Sequence, residues 1–193
     1  VRVSNEMIRQ SVIGLDAVLQ ARLVTDVANA LDAALWNGAG TSNTITGILQ
    51  ADNIATGDLD PEDVDSLIDG IATAMGNKVT PTHWAMDSDM FAAFRKIKVG
   101  DTDARYVFDP TTVQDGTAFR LLGLNVIITD AVPSDSVALI DFSKVVVARD
   151  VNAEVKILDQ TWGDYDSVGI RVVTRMDTAL LQDEAVTLLT VDG

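Results

Sequence analysis

The sequence predicts an α+β fold, and three observations carry that prediction. A helix-period apolar stripe fills the first 38 residues, mixed helix and strand signals occupy the middle, and long β-type runs close the chain. No regular strand–helix alternation, internal repeat or low-complexity linker is visible. With 193 residues, 47% of them apolar, the chain can bury a sizeable core.

Ser4 is placed to cap a first helix, with Glu6 in its first turn where a negative charge suits the dipole. Ile8, Val12, Leu15, Leu19, Leu23, Val27, Leu31 and Leu35 then recur every three or four positions and form one stripe. Gly14 interrupts it at a cost of about 1 kcal/mol relative to alanine, so a break is expected there and a long helix after it, to about Trp36. Asn37-Gly38 reads as a C-cap, with the glycine in the left-handed conformation. After an acidic loop over 51–60, Asp60 as N-cap, Pro61 at the first helical position, and Glu62 and Asp63 in the first turn predict a helix over 60–76. Val64, Leu67, Ile68, Ile71, Ala72 and Met75 make its apolar face, and Gly76-Asn77 ends it. Thr82 to Met86 reads as a short buried strand and Ser88 to Ile97 as a helix. Strands are expected at Tyr106–Phe108, Phe119–Thr129 and Ser136–Ile140. Val145–Val151 and Glu154–Leu158 look like a pair meeting at Asn152-Ala153. Val168 to Met176 alternates as a long half-buried strand with Arg171 and Arg175 on its other face, and Ala185–Val191 is the last strand. Helices 60–76 and 88–97 should pack on a sheet containing 82–86 and 119–129, with the first and last quarters of the chain sharing a separate module.

Charge narrows the function. The balance is 29 acidic against 14 basic residues, net −15, whereas gripping a nucleic-acid backbone needs the opposite sign. Arg95-Lys96-Ile97-Lys98 is the only dense basic run. There is no cysteine, so disulfides and cysteine-ligated zinc are excluded. No apolar run has the roughly 18–20 residues a membrane-spanning helix needs. The opening Val1-Arg-Val-Ser-Asn-Glu-Met7 is neither a signal peptide nor an initiator, which suggests an N-terminus cut or processed.

Three stretches invite a site. "LDAALWNGAGTSNTITGILQ", residues 31–50, holds Gly38, Gly40 and Gly47 in a polar loop. Phosphate loops lead into a helix N-terminus, but these glycines follow a helix, and their spacing fits neither phosphate-loop pattern. Asp58-Leu-Asp60-Pro-Glu62 has the spacing of a calcium loop, with Asp63 where the turn glycine is required. His83 is the only histidine and has no second imidazole or thiolate to share a metal. Carboxylate pairs such as Asp87 with Asp89 and Asp101 with Asp103 sit where capping explains them. No nucleophile signature is present. Catalytic, cofactor-binding and metal-ligating residues are therefore all read as none, and the enzymatic alternative is a small metal-dependent hydrolase using the acidic loops.

In chain order, further motifs carry a resemblance. Val3-Ser-Asn-Glu-Met-Ile-Arg-Gln-Ser11 resembles the Val-Ser-x-Glu-Leu-Leu-x-Asp-Ser approach to a spine helix, and Ala30-Leu-Asp-Ala-Ala-Leu-Trp-Asn-Gly38 its end. Thr44-Ile-Thr-Gly-Ile-Leu49 resembles Pro-x-Gly-Ile-Leu, and Trp84-Ala-Met86 with its following helix resembles a strand-and-helix pair. Phe119-Arg-Leu-Leu-Gly-Leu-Asn-Val126 resembles Leu-Leu-Gly-x-Pro-Val, Ile140-Asp-Phe-Ser143 resembles Gly-Asp-Phe, and Ile170-Arg-Val-Val-Thr-Arg-Met-Asp177 resembles Arg-x-x-x-Arg-x-Asp. These belong to the major capsid proteins of tailed bacteriophages, of the Hong Kong 97 type; Ile45, Asn125 and Ile140 depart from the pattern.

The resemblance implies a Hong Kong 97-like phage capsid fold with a long spine helix. Its peripheral domain would be residues 1–52 and 147–193, with an axial domain inserted at 53–146. It implies a non-enzymatic structural subunit of a phage or prophage virion, assembled in the host cytoplasm. Its partners would be copies of itself, as hexamers and pentamers of an icosahedral shell that holds double-stranded DNA only by enclosure, with no cofactor and no membrane. An acidic subunit suits a container that should not grip its DNA. The family's N-terminal arm and extended loop have no counterpart here, so the lysine of the cross-link some relatives form cannot be assigned. An encapsulin, the shell of a cargo-holding compartment, is the alternative within the same fold.

Overall fold

The computed structural model describes residues 1–10, 14–42, 44–100, 103–107, 114–115 and 118–191. The chain opens with β1 (Arg2–Ser4), α1 (Asn5–Gln10) and α2 (Leu15–Asn37), followed by β2 (Ala55–Asp58), α3 (Asp65–Gly76), β3 (His83–Met86) and α4 (Ser88–Lys96). Five short strands come next: β4 (Lys98–Gly100), β5 (Asp103–Tyr106), β6 (Gln114–Asp115), β7 (Ala118–Leu121) and β8 (Leu124–Ile128). β9 (Ser136–Ile140), β10 (Val145–Trp162), β11 (Ser167–Leu180) and β12 (Val186–Thr190) complete it. Two compact units result, one from Val1–Asp32 with Val147–Asp177 and the other from Ala33–Val146 with Thr178–Gly193. One boundary between these units falls at 146/147, another at 32/33 rather than 52/53, and a third at 177/178. Residues 33–52 and 178–191 join the second unit because β12 is an inner strand of its sheet and Ile48 and Leu49 are buried in its core.

The first unit is built on a three-stranded sheet ordered β1-β11-β10. β1 runs antiparallel to β11 with Val3 opposite Val168, an unforeseen strand that precedes the Ser4 cap. Ser4 Oγ accepts from the Met7 N–H at 3.3 Å, as its position predicts. The expected turn at Asn152-Ala153 is absent, and β10 runs straight through to Trp162. β11 lines this stretch continuously, with Thr174 Oγ1 donating to Val151 O and Thr178 Oγ1 to Val146 O, so the two strands run in opposite directions. The reversal comes later, at Gly163–Tyr165, where Asp166 adopts φ 45°. Leu23 and Val27 of α2 line a cavity of about 340 Å³ with Leu158, Trp162, Ile170 and Val172. Arg175 on the outer face lies 3.9 Å from Asp150.

The second unit centres on a seven-stranded sheet ordered β2-β12-β9-β3-β8-β7-β6. β2–β12 and β3–β8 are parallel, and the other pairs are antiparallel. Successive residues point to opposite faces of a strand, so each central strand feeds two cores. Trp84, Met86, Val137, Leu139 and Leu189 pack on one side against Leu67 and Ala74 of α3 and Met90, Phe91 and Phe94 of α4. Ala85, Ala138, Ile140 and Val186 pack on the other with Ile48, Leu49 and Val132. The Trp84 indole N–H donates to Leu121 O at 3.1 Å, satisfying a buried donor.

Several local expectations give way here. The acidic loop contains β2, and α3 starts at Asp65 rather than residue 60. Asp60 Oδ1 accepts from the Glu62 N–H at 2.9 Å and Asp63 Oδ1 from the Asp65 N–H at 3.0 Å. These local turns compete with the first helical turn. α3 buries Leu67, Gly70 and Ala74, leaving Ile68 and Met75 exposed. Phe119–Thr129 is a hairpin, β7 and β8, turning at Leu122 (φ 49°) and Gly123 (φ 83°). Of the expected strand 106–108, Tyr106 belongs to β5 and Phe108 lies outside the described residues.

The end of α2 shows what two glycines do. Its last carbonyls are met by the returning loop: the Gly38 N–H donates to Ala34 O, Ile48 to Leu35 O and Leu49 to Trp36 O, at 2.9–3.0 Å. Gly38 is not in the left-handed conformation, contrary to the cap expected; Gly40 is, at φ 65°. A Cβ on Gly38 would fall on the carbonyls of Ile45 and Ala34, and one on Gly47 on the main-chain nitrogens of Asn37 and Gly38. Both are glycine because backbone touches backbone.

Two stability predictions follow, each read by urea unfolding. Gly47→Ala should destabilise the chain by more than about 1 kcal/mol, whereas Gly76→Ala, whose added Cβ meets nothing within 4 Å, should be neutral or gain up to about 1 kcal/mol. Phe94→Ala, which empties a site with no solvent exposure, should cost about 3–5 kcal/mol.

Candidate functional site

The glycine loop faces the wrong end of a helix for an anion. Three carbonyls of the last turn of α2 point at it, and the N–H groups of Gly38, Ile48 and Leu49 are spent on them. Gly47 donates to Gly38 O at 2.8 Å and Gly40 to Ile45 O at 3.2 Å. Ile48 and Leu49 anchor the return in the core, and Gln50 Nε2 bonds Asn37 Oδ1 at 2.7 Å. The stretch is a clasp, and the N–H groups of Gly38, Gly40, Gly47, Ile48 and Leu49 are spent within it rather than offered to a phosphate.

His83 is half-buried at the start of β3. One ring nitrogen lies 3.0 Å from Thr82 Oγ1, and the ring meets Phe142 edge-on at 5.1 Å. Thr82 Oγ1 in turn donates to Ile140 O and accepts from the Phe142 N–H, so the imidazole completes a packed hydrogen-bonded corner. Asp87 caps α4 by accepting from the Ser88 N–H at 2.6 Å, and Asp141 accepts from the Ser143 N–H at 3.0 Å. Asp101, and the side chain of Asp103, lie outside the described residues. Among the described residues no three carboxylate or imidazole groups converge to hold a metal ion.

A groove of about 640 Å³ runs beside α3, at the β2 edge of the larger sheet. Leu59, Leu189 and Val191 contribute apolar lining, and Asp58, Asp60, Asp63, Asp65 and Asp69 make its rim acidic. Gly57 and Gly70 shape it, since a Cβ on either would press on the Leu189 side chain at 2.9 and 2.7 Å. Among the described residues none of the five carboxylates has an ion-pair partner. Sequence reading made Asp60 a cap and Asp63 a first-turn residue, weighed Asp58 and Asp60 against a calcium loop, and singled out neither Asp65 nor Asp69; the groove joins residues 57–73 to 189–191, a proximity that local spacing does not carry. No described helix is long and apolar enough to cross a membrane.

The likeness to known proteins lies in the whole chain. A family model described as the phage capsid family matches residues 1–191. No curated protein matches the sequence. Among solved structures, the capsid of an empty GTA particle aligns over 100% of this chain and 71% of its own, with TM-score 0.83 and 21% identity. The capsid of a native GTA particle aligns over the same shares, at TM-score 0.81 and 20% identity. A structure of Mycobacterium phage Adephagia covers 100% of this chain and 70% of its own, at TM-score 0.73 and 18% identity. At such identities the structures speak for the fold, which is Hong Kong 97-like with mixed helix and sheet. The family model speaks for descent: this chain belongs to the phage capsid family and is a structural, major capsid subunit.

Proposed function

We propose that the chain forms the wall of an icosahedral phage or prophage head by side-to-side packing of identical subunits as hexamers and pentamers, enclosing double-stranded DNA. The match to the phage capsid family over residues 1–191 is the observation that carries this reading. A net charge of −15 supports containment without adhesion, because a wall that repels phosphate leaves the enclosed duplex free to move. The protein works by geometry and catalyses nothing. In this reading the peripheral domain contains the unit of Val1–Asp32 and Val147–Asp177, and the axial domain contains the sheet with α3 and α4. Assembly takes place in the host cytoplasm and the product is the virion.

Electron microscopy of particles made from the complete coding region tests this. Closed shells protecting double-stranded DNA from nuclease are the expected outcome. Shells filled with a cargo protein instead would transfer the chain to the encapsulin reading, and dispersed subunits with tight, stoichiometric magnesium or calcium binding would revive a metal-dependent enzyme.

A further inference from the structure

Asn37 is the one asparagine of the chain that is followed by glycine. That pair carries a chemistry of its own. The main-chain nitrogen after an asparagine can attack the carbonyl carbon of the asparagine side chain. Glycine makes this attack easiest, because it has no Cβ in the way and the widest choice of φ and ψ. Every other asparagine here precedes a residue with a side chain.

The clasp holds both reacting groups. Asn37 is the last residue of α2, and the Gly38 N–H donates to Ala34 O at 2.9 Å. Gln50 Nε2 donates to Asn37 Oδ1 at 2.7 Å, which ties the side-chain amide to the returning loop. Gly47 covers the attacking nitrogen, since a Cβ there would fall on the main-chain nitrogens of Asn37 and Gly38. The Gly47 N–H donates in turn to Gly38 O at 2.8 Å. Ile48 and Leu49 lock the loop down, their N–H groups on Leu35 O and Trp36 O and their side chains in the core. Asn37 itself is exposed, so water reaches it.

From these contacts we propose that Asn37 is a latent modification site, closed while the loop clasps the end of α2 and open once it lets go. In the released chain the Gly38 nitrogen bonds to Asn37 Cγ and the Cγ–Nδ2 bond breaks. The proton lost by the Gly38 nitrogen leaves with the amide as ammonia. Water then opens the resulting imide. Breaking the new bond to Cγ leaves aspartate at position 37. Breaking the original peptide bond instead leaves isoaspartate, whose main chain runs through the side chain and is one carbon longer. One water enters, one ammonia leaves, and nothing is oxidised or reduced. Either product opposes reclasping. The new carboxylate stands at the C-terminal end of α2, where a negative charge is unfavourable to the helix dipole. The longer main chain also breaks the spacing by which Gly38, Ile48 and Leu49 reach three successive carbonyls. The change is one-way, and it marks chains in which Ile48 and Leu49 have left the core.

Peptide mass spectrometry of the full chain, aged at mildly alkaline pH, reads the conversion residue by residue, and isoaspartate-specific methylation reads the second product. In urea Asn37 should be the first asparagine to change. In the folded chain it should change at least about tenfold more slowly than in urea, because modification through local opening follows the open population. Gly47→Ala, whose added Cβ presses on the Gly38 nitrogen, should speed the folded-state reaction about fivefold or more, the Boltzmann factor of the destabilisation expected for it. Gln50→Ala, which removes only the side-chain tie, should also speed it and carries the test if Gly47→Ala fails to fold; circular dichroism checks both. Gly76→Ala, in the helix on the other side of the sheet, should leave the rate unchanged. Equal rates for Asn37 in the folded chain and in urea, or a folded-state rate that neither clasp variant raises, would overturn the proposal.

Discussion

Keeping β9 dry on both faces is the constraint from which the larger unit follows. Its five residues are all buried, with Val137 and Leu139 turned to one core and Ala138 and Ile140 to the other. A strand buried on two sides needs a partner on each edge and a layer above and below. β12 and β3 supply the edges, α3 and α4 one layer, and the clasped return after α2 much of the other. A one-residue slip would exchange the two sets of side chains, putting alanine where leucine fills space. The small side of the alternation, Ala85 and Ala138, is where the clasp with Ile48 and Leu49 packs.

Elements whose pattern is set by burial were legible in the sequence. The stripe of α2, the continuous apolar run of β9 and the alternation of β11 stand where periodicity places them, because each reads a face that tertiary packing uses. Elements set by local competition were not. The start of α3 depends on whether Asp60 and Asp63 bind their own backbone or a helix, and both choices suit the same residues. The β7–β8 turn was hidden because a leucine occupies a positive-φ position that normally announces itself by asparagine or glycine. Asn152-Ala153 gave the reverse error: a turn-prone pair is held extended by an 18-residue strand with a partner beside it.

The role of the glycine loop was legible for a different reason. Reading the glycine loop needed only the order helix then glycine, which puts carbonyls rather than N–H groups at the loop. Which glycine does what was not legible. Gly38 and Gly47 are glycine for close backbone approach, and only Gly40 uses a positive φ. The groove beside α3 was beyond sequence reading altogether, since Leu189 and Val191 come from more than a hundred residues further along the chain.

That last separation has a bearing on synthesis. β12 enters between β2 and β9, so β2, made early, has no strand to pair with until residues 186–190 have emerged. Chains fold on the ribosome from the N-terminus, and contacts this distant in sequence are the slowest to form. A prematurely ended chain would therefore lack both the central register and the wall of the groove. Synthesis through β12 thus acts as a proofreading step: a chain stopped short of it leaves the edge of β2 without a partner.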